Sequence, residues 1–94
     1  MSSEQQIVIE RQVDAARREA LGVVDWPVWE KEISEFPWFY DSSETCCLIA
    51  GEVVVTPEGG EPVTLRTGDL ATFPVGTACT WRVVAPLRKH YCFG

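Results

Sequence analysis

Positive charge is scarce in this sequence: eight lysines and arginines face fourteen acids, for a net charge of -6. Such a balance repels nucleic acid and anionic membranes at long range, so neither is an expected partner. Long apolar runs are missing too, and none approaches the roughly 20 residues that a membrane-spanning helix needs. The opening "MSSEQQ" lacks the charged-then-apolar pattern of a secretory signal, which gives the expectation of a cytoplasmic protein. Cys46, Cys47, Cys79 and Cys92 form no C-x-x-C pair, which removes the usual zinc spacing. In the cytosol they are expected to be reduced thiols, each read as a small buried hydrophobe, Cys47 and Cys92 above all. There is one histidine, His90, and there are no internal repeats, linkers or low-complexity tracts.

What is present is compact and apolar. The chain has 94 residues, 46% of them hydrophobic, with four tryptophans, which suits one globular domain. A domain of this size is marginal alone unless its sheet closes or pairs with a partner. "IVIER" (7–11) alternates as a short strand does. "DAARREALG" (14–22) combines helix formers with an acid at its start and a glycine at its end, so a short helix is expected. Prolines interrupt "DWPVWEKEISEFPWFY" (25–40), which reads as extended segments with bends. From Glu44 onward every segment reads as strand: "TCCLIAGEVVVTP", "VTLRTGDLATFPVG", "ACTWRVV" and "LRKHYCFG", with a turn at "PEGGEP" (57–62). Several short strands with Gly/Pro turns between them suggest a sandwich or small barrel.

Alternation along the strands sorts the side chains. Glu44, Cys46, Leu48 and Ala50 share one face, and Thr45, Cys47 and Ile49 the other. Both faces are apolar, so this strand should be covered on both sides. Cys79, Trp81 and Val83 should point inward because Arg82, between them, prefers water. With Glu44 also inward, a carboxylate and a thiol meet inside an apolar lumen.

Two spacings carry a resemblance. Glu44, six residues, then Gly51 resembles the second half of the first cupin motif, H-x-H-x(3,4)-E-x(6)-G. Gly68, five residues, Pro74-Val75-Gly76, two residues, then Cys79 resembles the second, G-x(5)-P-x-G-x(2)-H. The run "WPVW…FPWFY…ETCCLIAGEVVVTPEGG…GDLATFPVGTACTW…RKHYCFG" is similar to the small single-domain cupins grouped with the ureidoglycine aminohydrolase cupin domain. The resemblance implies an all-β fold, a single conical jelly-roll β-barrel with the short N-terminal helix read above, often paired as a homodimer. It implies a cupin domain over 7–94, with 1–6 as a flexible N-terminus.

The departures from the motifs set the functional expectation. A metal-binding cupin places three histidines and a glutamate in its lumen. Here the histidine positions fall on Trp38, Tyr40 and Cys79, and Glu44 alone keeps its type. A divalent cation would find Glu44 and Cys79, with Tyr40 and His90 as further ligands, and hard oxygens beside a soft thiolate suit no common metal. The expectation is therefore no cofactor, with a divalent metal at Glu44 and Cys79 as the alternative. Glu44, in an aromatic pocket, is the candidate general acid or base, and Cys79 the candidate nucleophile or redox thiol. Trp38, Tyr40, Cys46, Trp81 and His90 are the candidate ligand-binding residues. "RKHY" reads as a solvated strand end, with the alternative that its three bases meet a carboxylate or phosphate group or that one of them activates Cys79. The expected function is capture of a small molecule in the lumen. The alternatives are an aminohydrolase-like enzyme acting on a small nitrogenous metabolite, and a non-catalytic structural or interaction dimer.

Overall fold

The computed structural model describes residues 7–93, so the expected flexible stretch 1–6 lies outside the described residues. Seven antiparallel strands follow in the order β1 (Val8–Glu10), β2 (Val28–Lys31), β3 (Ser34–Phe39), β4 (Glu44–Pro57), β5 (Val63–Arg66), β6 (Leu70–Phe73) and β7 (Ala78–Phe93). One helix, α1 (Ala15–Leu21), and a 3-10 turn (Val23–Asp25) lie between β1 and β2. The helix runs where its end signals place it. The Asp14 carboxylate accepts the Arg17 N–H at its start, and Gly22 ends it at φ 73.

The two long strands organise everything else. β4 and β7 pair along their whole length, from Glu44 opposite Phe93 to Pro57 opposite Cys79. Their first pairing end belongs to one half-sheet, ordered β1-β6-β4-β7-β2. Their other end belongs to a second half-sheet, with β5 on β4 and β3 on β7. The ladder bends where its register shifts between Leu48 and Val53. Gly51, at φ 95, sits at the bend, where a Cβ would meet the Pro86 carbonyl oxygen and lie 2.8 Å from Leu87 Cα. No other residue type fits this backbone and this approach.

The bend also changes which alternate residues face inward. Before Gly51 they are Glu44, Cys46 and Leu48; after it they are Val53 and Val55. Ala50, expected on the inner face, is exposed because the register has already shifted. β7 keeps one alternation throughout, and Cys79, Trp81, Val83, Leu87 and Lys89 are all buried. "ACTWRVV" and "LRKHYCFG" are therefore one strand and not two, with Pro86 carried at the bend.

Leu48, Val53, Val55, Leu65, Phe73, Trp81 and Val83 form the core between the half-sheets. A smaller cluster of Val13, Val23, Cys47 and Leu70 fills the space under the helix, which covers the second face of β4. Cys92 is exposed, contrary to expectation, because among the described residues nothing covers the outer face at the end of β7. Asp69 braces the turn before β6. Its carboxylate accepts the backbone N–H groups of Arg66 (2.9 Å) and Gln12 (3.1 Å) and the Arg11 guanidinium (2.7 Å). Burial alone would raise its pKa, but these donors outweigh burial and hold it below the usual carboxylate value.

A candidate ligand cavity with an ion pair at its floor

Residues of β2, β3, β4 and β7 enclose a cavity of about 200 Å³. β3 supplies Phe36 and Trp38, and Tyr40 follows just beyond it. Tyr40 is fixed by the second motif: its N–H donates to the Thr77 carbonyl (2.9 Å), and its own carbonyl accepts the Gly76 N–H (2.7 Å). The ring then stacks on Phe73, with centroids 4.7 Å apart and planes within 6°. Trp29 from β2 meets Trp81 of β7 edge to face, and Phe36 stacks on Trp81 at 6.4 Å. Trp38, 47% exposed, and Phe93, 58% exposed, stand at the mouth.

Two charged groups lie in this aromatic enclosure. Glu44 is 5% exposed and Lys89 6%. The Lys89 Nζ donates to Glu44 Oε2 at 2.9 Å. The same ammonium lies 4.5 Å from the Trp81 ring centroid and 5.1 Å from that of Trp29. Carboxylate and ring faces together replace the water that a lysine loses on burial. Tyr40 beside them keeps its proton: burial raises its pKa far above the ordinary phenol value, and the Glu44 charge adds to the rise.

Lys89 lies outside the candidates that the sequence suggested, since "RKHY" reads as a solvated strand end, and so do Trp29, Phe36, Tyr91 and Phe93 of the lining. Alternation offered the signal. Positions 81, 83, 87, 89 and 91 share a parity, so an inward Trp81 implies an inward Lys89 once β7 is one strand.

The structure brings Trp38, Tyr40, Glu44 and Trp81 to the cavity and leaves the other candidates outside it. Cys46 is fully buried behind the wall, and burial pushes its thiol up to about 11. Cys79 belongs to the core and to the floor of a separate outer groove beside Pro37 and Pro57. Burial raises its pKa as well, and its Sγ lies 3.7 Å from the Trp38 carbonyl oxygen. The position favours a protonated thiol, which argues against the nucleophile reading. His90 faces away from the cavity, because its parity is opposite to that of Lys89. Its Nδ1 sits 2.9 Å from the Trp26 carbonyl oxygen and therefore carries the proton that is shared. The buried Trp81 Nε1 neighbours the Tyr40 oxygen and the Cys79 sulfur but reaches no acceptor with hydrogen-bond geometry.

A divalent metal does not fit this residue set. One oxygen of Glu44, Oε2, already holds an ammonium, and that charge repels a second cation at the same carboxylate. Bulky Trp38 and Tyr40 stand where imidazoles would reach in. Among the described residues, no three His, Cys, Asp or Glu side chains converge.

Comparison with known proteins agrees with this architecture. Among curated proteins none matches the chain. A solved DUF861 family protein from Thermotoga maritima shares 45% identity over 95% of this chain and 100% of its own, with a TM-score of 0.90. A DUF861 family protein of unknown function from Pseudomonas syringae is 31% identical over 71% of this chain and 29% of its own, with a TM-score of 0.65. The ethanolamine utilization protein Q structure from Salmonella typhimurium shares the fold at 24% identity and a TM-score of 0.64, covering 70% of this chain and 53% of that one. The model of the EutQ-like cupin domain matches residues 18–91. This chain belongs to the EutQ-like cupin domain family.

Proposed function

We propose that the protein is a small-molecule-binding cupin, with an aromatic cavity floored by the Glu44–Lys89 pair where metal-dependent relatives of the fold hold a cation. The observation that carries this reading is the cavity itself: about 200 Å³, walled by rings, with a buried charge pair at its base. A lumen meant only to support the barrel is expected to close on its own side chains. This one keeps space beside two polar groups, which is the general form of a small-ligand site. An aminohydrolase-like activity on a small nitrogenous metabolite, as the ureidoglycine resemblance implies, would call on a metal that this residue set does not suit. A role as a cytoplasmic homodimer draws support from Phe93 at the mouth and Phe39 beside the outer groove, each more than half exposed.

The indole N–H signals test the binding reading. Trp29, Trp38 and Trp81 line the cavity, whereas Trp26 packs in the cluster under the helix. A panel of small ring compounds is expected to contain at least one that moves the first three NMR signals and leaves Trp26 in place. Signals that all stay fixed across the panel, or move together, would remove the lumen as a binding site.

A further inference from the structure

The chemistry of the floor narrows the ligand class, given that the cavity binds a small molecule at all. The chain has six arginines and two lysines, Lys31 and Lys89. Every arginine stands at least partly in water, and the one buried base is a lysine. An arginine would pair with Glu44 at least as well, but only a lysine can give up a proton and become a nucleophile. Lys89 lines the cavity, and a proton acceptor stands 2.9 Å from its amine. The fixed charges of the floor already cancel, so a charged ligand would enter an apolar space with no counter-charge to meet it. The walls are rings. We infer that the cavity takes an uncharged, ring-bearing aldehyde or ketone and holds it as a reversible imine on Lys89, with Glu44 as the proton relay.

The step balances within the site. Lys89 passes one proton to Glu44, and the free amine adds to the carbonyl carbon as the C=O π pair moves onto oxygen. A second proton moves from nitrogen to that oxygen, giving a carbinolamine. The Glu44 carboxyl then protonates the hydroxyl, water leaves, and the nitrogen lone pair forms the C=N bond. The product is a protonated imine beside a carboxylate. Charge is therefore the same before and after: a cation between the rings of Trp29 and Trp81, paired with Glu44. Surroundings that stabilise the ammonium stabilise the iminium by the same contacts.

Benzaldehyde with cyanoborohydride tests this on the intact protein. Hydride adds to the imine carbon and fixes a benzyl group on the amine, which peptide mapping locates. Lys89 is expected to carry at least about tenfold more benzyl than Lys31, because a bound carbonyl is held at high effective concentration. Lys89→Arg should abolish that adduct. If the variant does not fold, the Lys89 to Lys31 ratio in the wild-type protein decides alone. Equal labelling of the two lysines overturns the inference. If benzaldehyde and unreactive benzamide shift the Trp29, Trp38 and Trp81 signals but no Lys89 adduct forms, the covalent step is overturned and binding in the cavity stands. If neither an adduct nor a shift appears, this carbonyl class is excluded.

Discussion

Removing Lys89 should destabilise the protein far more than removing the Glu44–Lys89 pair together. At an N–O distance of 2.9 Å the mutual attraction is on the order of 6 kcal/mol for an effective dielectric near 20. Burying the two ions costs several kcal/mol each, so the intact pair contributes little in net terms. In Lys89→Met, however, the Glu44 carboxylate stays among aromatic rings without a counter-ion, and breaking a buried pair this way costs about 3–5 kcal/mol. For a domain of this size that amounts to a fall in Tm of about 15–30 °C. Lys89→Met combined with Glu44→Gln leaves no charge in the cavity and should recover most of the loss, to within about 2 kcal/mol of the wild type. Urea unfolding of the wild type, both single variants and the double variant measures the coupling. The reasoning is refuted if the double variant is as unstable as the sum of the singles, or if Lys89→Met alone unfolds within a few tenths of a kcal/mol of the wild type.

Three further outcomes follow from the geometry. Gly51→Ala places a Cβ against the Pro86 carbonyl at a left-handed φ and should lose about 3 kcal/mol or more in a denaturant titration. Asp69→Asn should lose about 1–2 kcal/mol at neutral pH, a figure kept low because Arg11 is 54% exposed and solvent screens its charge. The Asp69 pKa is depressed in the fold, so its contribution is present above the unfolded value near 3.9 and fades as pH falls through the native value. The stability gap between wild type and Asp69→Asn should therefore close below about pH 4, and a constant gap would refute the brace. A colorimetric thiol titration at neutral pH should find one fast cysteine, Cys92, because Cys46, Cys47 and Cys79 are buried with raised pKa values. More than one fast thiol in the folded protein would contradict the burial.

The turn-forming residues carried most of what the sequence revealed. Gly51, Gly68 and Gly76 announce the jelly roll because each holds a positive φ that few residues adopt, and Pro74 marks the turn before Gly76. Asp14 and Gly22 bracket the helix for the same local reason. Long-range consequences were less legible. Gly51 bends β4 and changes its inward parity, which no alternation rule carried across the bend reproduces. Pro86 suggests a break in β7, yet the pairing with β4 carries the strand through it. With that break assumed, the parity that leads from Trp81 to Lys89 is lost. His90, the one imidazole of the chain, is the conspicuous residue of the last strand, although its neighbour Lys89 holds the inward seat. Glu44 was readable from its motif, and its partner was not, because the two meet only when distant segments pair.

The shared ladder has a consequence for how the chain reaches its native state. Neither half-sheet has private strands enough to stand alone, since each borrows one end of β4 and one end of β7. Folding must pair β4 with β7 before both layers can shelter their apolar sides, and such non-local topologies reach the native state in milliseconds to seconds. Assembly and collapse should thus be all-or-none, and a break within β4 or β7 would weaken mouth and base together.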